Sequence, residues 1–402
     1  MALGYLRKEE MNLDKIRAVH SFPIWLPQTQ TWMYNQAKYL PGNVDVHVAC
    51  EETRHLDQFA VPNIHNLKDI SPLQYFWEMG LRKLRIRRKQ NFLSSVISKT
   101  NADILHSHFG HIGWSNSRVA AYLSIRHIVT FYGTDVRMLP TRDQRWLYRY
   151  AELFDKADLF LCEGRHMAKE LMGLGCRQEK IRIHHLGIDV ETLPYRPRYL
   201  SDGEPLRVLI AANFREKKGI PYALEALAQL QRNMPVEITI LGDAGPKLDS
   251  KREKRRILRT IERGRLKSRT RLLGYQPYSA FFDEAYKHHV FISPSVTASD
   301  GDTEGGAPVT LIEMIATGMP VISTIHCDIP EVVQYGMDDW LVNERDVTGL
   351  ISKLEWLIDN KGNWNKFLTA GRGHVVEEFN AVRQGKRLAK IYEDTLGGCN
   401  EA

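Results

Sequence analysis

The stretch SVTASDGDTEGGAPVTLIEMIATGMPVIS, residues 295–323, carries the pattern that decides the fold. A polar, glycine-rich loop runs up to Pro308, an apolar helical pattern follows, Gly318 stops it, and a β-branched run resumes at Val321. Proline at a helix start and glycine just past its end punctuate a helix in the expected sense. The run 290–293 before the loop reads as another strand, so the whole is strand, loop, helix, strand. That order is the right-handed crossover unit of a parallel sheet.

Outward from this unit the same rhythm repeats. Strand-like runs at 207–211, 237–241, 271–273 and 321–323 alternate with helical patterns at 221–230, 251–263, 278–286, 308–316 and 348–358. The N-terminal half carries a second series, with strands expected at 16–19, 44–49, 104–105, 128–131, 159–161 and 181–183, and amphipathic stretches at 30–40 and 146–154. Between them, LPYRPRYLSDGE at 193–204 breaks the alternation with two prolines and a glycine and reads as a linker. The chain of 402 residues exceeds one ordinary core. The expected architecture is therefore α/β: two facing, doubly wound, Rossmann-like domains over 1–195 and 196–378. The helical patterns at 364–379 and 381–395 have no strand after them, and the segment 379–402 is expected to pack back on the first domain. Ligands of such folds bind in the crevice beyond the carboxyl ends of the strands, so the post-strand loops are the place to look.

Bulk properties narrow the classes. The net charge of +7 favours anionic partners such as a nucleotide, a lipid pyrophosphate or a membrane surface. No zinc-finger spacing or RNA-recognition aromatic pair accompanies it, so nucleic acid is not expected. Five scattered cysteines, Cys50, Cys162, Cys176, Cys327 and Cys399, give no paired spacing, which points to a reduced, cytoplasmic setting without a structural zinc. No apolar run reaches spanning length, and residues 1–12 lack a secretory h-region.

In the C-terminal half, residues 304–307 bring backbone N–H groups to a helix N-terminus, where an anion is favoured. Glu304 and Glu313 flank that loop; carboxylates accept sugar hydroxyls while amides and basic side chains take a diphosphate. Taken singly, each glutamate also reads as an ordinary acid complementing the helix dipole. After the strand 207–211 come Asn213, Arg215, Lys217, Lys218 and Gly219, positive charge beside a helix-opening glycine. Gly242 to Pro246 and Gly274 to Pro277, with Tyr275, end two further strands in residues that allow close backbone approach.

These loops, with Asp328, Pro330 and Glu331 downstream, resemble glycosyltransferase family 4, and the resemblance covers the whole chain with a GT-B fold. It implies a nucleotide sugar, commonly of uridine, bound by the second domain and an acceptor bound by the first. Glu304 would then contact the transferred sugar, Glu313 the ribose hydroxyls, and Lys218 with Arg215 the diphosphate. Backbone around Tyr275 would read the base, and Asn213, Gly242, Gly245, Gly305, Gly306 and Ala307 would complete the donor site. Eight residues separate Glu304 from Glu313, one more than is usual in the family, and Asn213 stands where the family commonly has arginine.

The first-domain loops fit the acceptor side of exopolysaccharide-type members. Thr29, Gln30 and Thr31 open a helix and could bind acceptor hydroxyls, or Thr29 could simply cap that helix. His106 and His108 follow a strand; hydrogen bonding within the cleft is the stronger reading and a metal the weaker, because no acidic or cysteine ligand accompanies them. Tyr132 stands where many members have histidine, and Tyr132 or Asp135 would take part of its role, unless Asp135 only caps a turn. Asp300-Gly301-Asp302 has the form of a metal signature, yet its neighbours supply a metal-free diphosphate site. No catalytic metal and no cofactor are expected. With no second nucleophile evident, retention of configuration by front-face attack is the implied chemistry. The apolar stripe Leu73, Phe76, Trp77, Gly80, Leu81 and Leu84, joined by six basic residues from Arg82 to Lys89, suits either an anionic membrane surface and a polyprenyl-pyrophosphate acceptor or a core-packed helix. A sugar-nucleotide epimerase of the same architecture and a silent nucleotide-sugar sensor are the competing functions.

Overall fold

The computed structural model describes residues 15–26, 31–83, 91–333 and 340–397, the stretch 81–83 by its backbone. Seven parallel strands form the first sheet: β1 (Ile16–Trp25), β2 (Val44–Thr53), β3 (Ile64–Asn66), β4 (Ile104–His108), β5 (Arg126–Thr130), β6 (Leu159–Cys162) and β7 (Ile181–Ile183). Their order is β3-β2-β1-β4-β5-β6-β7. Six more form the second: β8 (Leu206–Ala211), β9 (Val236–Leu241), β10 (Thr270–Gly274), β11 (Val290–Ser293), β12 (Val321–Thr324) and β13 (Leu341–Val342), in the order β10-β9-β8-β11-β12-β13. Each sheet runs outward in both directions from a central pair, and helices connect the strands.

Central strands are buried along their whole length because helices cover both faces. All five positions of β4 are buried, as are all four of β11 and all four of β12. The chain order reverses between β1 and β4 and again between β8 and β11, and a crevice opens beyond the strand ends at both points. The sequence reading missed only β3 and β13, two short edge strands.

The helix Ala381–Gly397 leaves the second sheet and lies on the first, where it seals the core with Leu388, Ala389 and Tyr392. Gly385 admits this approach, since a β-carbon there would sit 1.9 Å from the Tyr39 carbonyl oxygen. The domains also meet beside the crevice. The backbone N–H of His166, in the first turn of the helix Arg165–Gly173, donates to Asp328 Oδ1 at 2.6 Å, and that of Arg165 donates to Glu331 Oε1 at 2.6 Å. Second-domain carboxylates thus cap a first-domain helix, a placement its dipole favours.

Candidate active site

The site grows from the ends of β8 and β11. After β8 a short 3-10 turn, Glu216–Lys218, is closed by Gly219 at φ 62°. A β-carbon at Gly219 would lie 1.8 Å from the Pro294 carbonyl oxygen, so only glycine lets this turn press against the end of β11. Lys218 Nζ then reaches Glu304 Oε2 at 2.8 Å, and Lys217 Nζ lies 3.8 Å from the same oxygen. The other carboxylate oxygen of Glu304 accepts from Ser295 Oγ at 2.8 Å. The Glu304 backbone N–H donates to His326 Nε2 at 3.2 Å, and His326 Nδ1 pairs with Glu344 at 2.6 Å. Burial alone would raise the Glu304 pKa, but the charges of Lys218 and Lys217 override it and hold the carboxyl at about 2. Burial lowers the Lys218 ammonium from its usual range against the opposing pull of Glu304. Two ions removed from water are thus kept charged by one another.

The basic loop is committed elsewhere as well. Arg215 pairs with Asp302 at 2.6 Å, Lys217 contacts Asp302 at 3.4 Å, and Asp300 pairs with Arg142 of the first domain. Glu313, inside the helix Val309–Ala316, accepts the Tyr278 hydroxyl at 2.6 Å. Burial pushes its carboxyl up to about 7 despite that hydrogen bond.

Between the domains lies a cleft of about 550 Å³. Asn213, Arg215, Lys218, Gly242, Tyr275, Glu304, Ala307 and Glu313 line it from the second domain, and Thr31 and Tyr132 from the first. The Asn213 side-chain oxygen is buried without a partner among the described residues, leaving an acceptor at the cleft wall. Gly242, at φ 117°, would drive a β-carbon to 1.9 Å from the Ala212 carbonyl oxygen.

Several expected site residues fall elsewhere. Gly245 is not among the cleft-lining residues, and its N–H is tied to Ser250 Oγ. Gly305 and Gly306 are buried against the first domain rather than open to the cleft: a β-carbon would meet Gly133 at 2.2 Å and the Glu163 carboxylate at 1.9 Å, respectively. Asp135 is fully buried; its carboxylate accepts the backbone N–H groups of Gly110 at 2.6 Å and Tyr132 at 3.0 Å, so it shapes the loop rather than facing a ligand. Thr29 and Gln30 lie outside the described residues.

His106 and His108 require the largest correction. Both are fully buried behind the cleft wall in a continuous hydrogen-bonded network. His108 contacts the Tyr132 hydroxyl at 2.6 Å and His20 at 3.1 Å; the Tyr392 hydroxyl bridges His20 at 2.8 Å and His106 at 2.7 Å; His106 ends on Thr130 at 2.6 Å. One assignment satisfies every member: Thr130 donates to His106, and each ring passes an Nδ1–H onward until Tyr132 donates to Gln36 at 3.3 Å. The ligand-bearing nitrogens of His20, His106 and His108 come within 4.8 Å of one another, close enough for an ion, but all six ring nitrogens already have partners. The C-terminal helix therefore holds Tyr132 in place through Tyr392, His20 and His108.

This network makes the fold acid-labile. Burial lowers His20 to about 3, lowers His127 and His184 to about 4, and takes His106 and His108 well below the ordinary value of 6.5. The unfolded chain takes up protons first as pH falls, so the contribution is complete above 6.5 and is lost on acidification. Asp135, Asp328 and Glu313, raised by burial to about 6, about 7 and about 7, and Glu163, raised likewise, work in the opposite sense and offset part of this. Urea midpoints should fall from about pH 7 to about pH 5, by up to ~1.4 kcal/mol per pH unit for each such histidine. Tyr392→Phe should cost about 1–3 kcal/mol at neutral pH, because it strands two buried ring nitrogens. A midpoint unmoved by either change would contradict the network.

Sequence reasoning overlooked Glu163, Thr134 and Tyr278 in the cleft wall. Glu163 directly follows β6, so the rule that pointed to the other post-strand loops would have found it. Tyr278 carried no such signal, since only the fold brings it to Glu313.

The comparisons agree with this architecture. Residues 205–360 match the family model for glycosyl transferases group 1, and residues 29–192 match glycosyltransferase family 4. A glycosyltransferase assigned to colanic acid biosynthesis in Salmonella typhimurium is 32% identical over 299 residues, covering 73% of this chain and 70% of its own. The amylovoran biosynthesis glycosyltransferase of Erwinia amylovora is 32% identical over 298 residues, with the same coverage. The Anabaena HepE protein, crystallised with UDP and glucose, superposes with a TM-score of 0.75 at 15% identity over 94% of this chain and 100% of its own.

Proposed function

The chain belongs to the family 4 glycosyltransferases, and from that premise we propose that it moves a hexose-type sugar from a UDP-sugar to a lipid-linked saccharide, with retention, during extracellular or cell-envelope polysaccharide synthesis. The observation carrying this reading is the pair Lys218 and Glu304, 2.8 Å apart in the same cleft as the start of the helix Val309–Ala316. In the free site each neutralises the other. An arriving diphosphate draws Lys218, Arg215 and the Ala307 amide to itself, and Glu304 is left to accept the hydroxyls of the transferred sugar. The bond from the anomeric carbon to the diphosphate oxygen breaks as that carbon bonds the acceptor oxygen on the same face. The acceptor's proton passes to the departing diphosphate. Catalysis then consists of positioning and of stabilising the charge that develops on the leaving group.

The reading needs no metal, because Asp300 and Asp302 stay engaged by Arg142 and Lys217 when Arg215 turns to the diphosphate. The relatives from colanic acid and amylovoran biosynthesis support the polysaccharide context, and the HepE complexes support a uridine donor. A lipid-linked acceptor is supported by the helix Pro72–Lys83, where Leu73, Phe76 and Trp77 stand 84%, 74% and 61% exposed. Leu84 and the basic residues beyond it lie outside the described residues. Among those described, no helix is long and apolar enough to cross a membrane.

The test supplies radiolabelled UDP-sugars with and without a lipid extract bearing saccharide pyrophosphates. Label should enter the lipid fraction with stoichiometric UDP release, and the new linkage should keep the donor's anomeric configuration. Interconversion of UDP-sugars without an acceptor would instead identify an epimerase, and binding without turnover a sensor.

A further inference from the structure

Glu163 is a carboxyl in the cleft wall that the mechanism above leaves unused. It follows β6 directly and faces the second domain beside Tyr132 and Thr134. No hydrogen bond to its carboxylate oxygens forms among the described residues; its backbone carbonyl alone is engaged, by His185 at 2.6 Å. The residue opposite is Gly306, where a β-carbon would overlap Glu163 Oε2 at 1.9 Å and its carboxyl carbon at 2.6 Å. Gly305 in turn fits against Gly133. The long Glu304-to-Glu313 spacing thus falls where two consecutive glycines receive the first domain, one of them making room for an acid. A carboxyl at the cleft wall with no protein hydrogen bond among the described residues is left free for a ligand hydroxyl.

We propose that Glu163 is a further donor-positioning residue, seated in the Gly306 notch and hydrogen-bonding a hydroxyl of the transferred sugar from the side opposite Glu304. This rests on the glycosyltransferase reading and adds a contact from the first domain to the donor sugar. The groups facing Glu163 include Asp328, Glu304 and Glu331 from the second domain, Asp135, Tyr132 and His185 from its own, and Lys217 as an opposing cation. Burial first, then the carboxylates, hold Glu163 well above the usual carboxylate range, so it meets the sugar as a neutral acid that donates. Glu304, held ionised, accepts. Two acids of opposite protonation would then read one sugar, which discriminates strongly between epimers because a missing partner leaves a buried polar group unpaired.

The experiment compares wild type, Glu163→Gln, Glu163→Ala and Gly306→Ala, with UDP alone by calorimetry and with UDP-glucose and UDP-galactose by initial rates across pH. UDP affinity should stay within about threefold in the Glu163 variants. Glu163→Ala should lower kcat/KM for the preferred UDP-sugar by about 30- to 100-fold and narrow its preference over the epimer. Glu163→Gln, which keeps a neutral donor, should restore most of that rate and flatten the decline of wild-type activity at alkaline pH. Gly306→Ala should reproduce the loss by displacing Glu163. Equal rates for all four proteins, or a loss in Glu163→Ala with epimer preference and pH profile unchanged, would overturn the assignment. Absence of UDP binding to the wild type would instead defeat the underlying donor-site reading.

Discussion

Lys218→Ala is expected to lower kcat by about 10³-fold while the protein stays folded, the range seen when a preorganised group opposite developing charge is removed. The wild-type ammonium is already desolvated at the cleft wall, 2.8 Å from Glu304, so it has only to exchange that partner for the diphosphate. UDP affinity should fall as well, by about one to two powers of ten, since a charge-assisted contact is lost. The fold should survive because Lys217 remains 3.8 Å from Glu304 and still offsets part of its burial. Glu304→Gln separates the roles. It keeps the shape and frees Lys218, so UDP should bind at least as well, yet sugar transfer should drop by a similar factor. Steady-state UDP release and calorimetry on the two variants make the comparison; wild-type turnover in both would remove this pair from the mechanism.

A second large effect is expected from one methyl group. Gly305→Ala would place a β-carbon 2.2 Å from the Cα of Gly133, backbone against backbone across the domain junction, at φ 82°. The strained φ alone costs roughly 1–2 kcal/mol. The clash does more, because backbone cannot rotate away, so the domains must separate and carry Tyr132 and Glu163 from Glu304. Transfer should fall by at least about 10²-fold, since small misplacements of reacting groups have effects of that size. Gly203→Ala is the control: its φ is 77°, yet nothing lies within 4 Å of the added carbon. It should show the strain in its unfolding midpoint and leave turnover near wild type. Equal activities for the two variants would contradict a catalytic role for the closed junction.

Much of this architecture was legible because burial on both sheet faces forces continuous apolar runs. β8, β9, β11 and β12 stand out in the sequence for that reason, and their loops pointed directly to Lys218, Glu304 and Asn213. The second-domain loops were read most reliably where backbone geometry demanded a residue, as at Gly219 and Gly242. What the sequence could not show was which side of a strand end faces the cleft. His106 and His108 read as post-strand residues, but β4 runs through His108 and turns both rings inward, where Tyr392, almost three hundred residues away, bonds His106 directly and His108 through His20. Asp135 misled in the same way: a short acid in a loop serves a ligand or its own backbone, and only its contacts to Gly110 and Tyr132 tell the two apart. Gly305 and Gly306 suggested an anion-binding loop, whereas their missing side chains answer to the facing domain.

The most direct test of the central claim is a crystal structure of the enzyme with UDP. Lys218 Nζ should have left Glu304 and lie about 3 Å from a diphosphate oxygen, with the Ala307 amide at the cleft wall facing the same group. A diphosphate bound away from the ends of β8 and β11, with Lys218 still paired to Glu304, would contradict it.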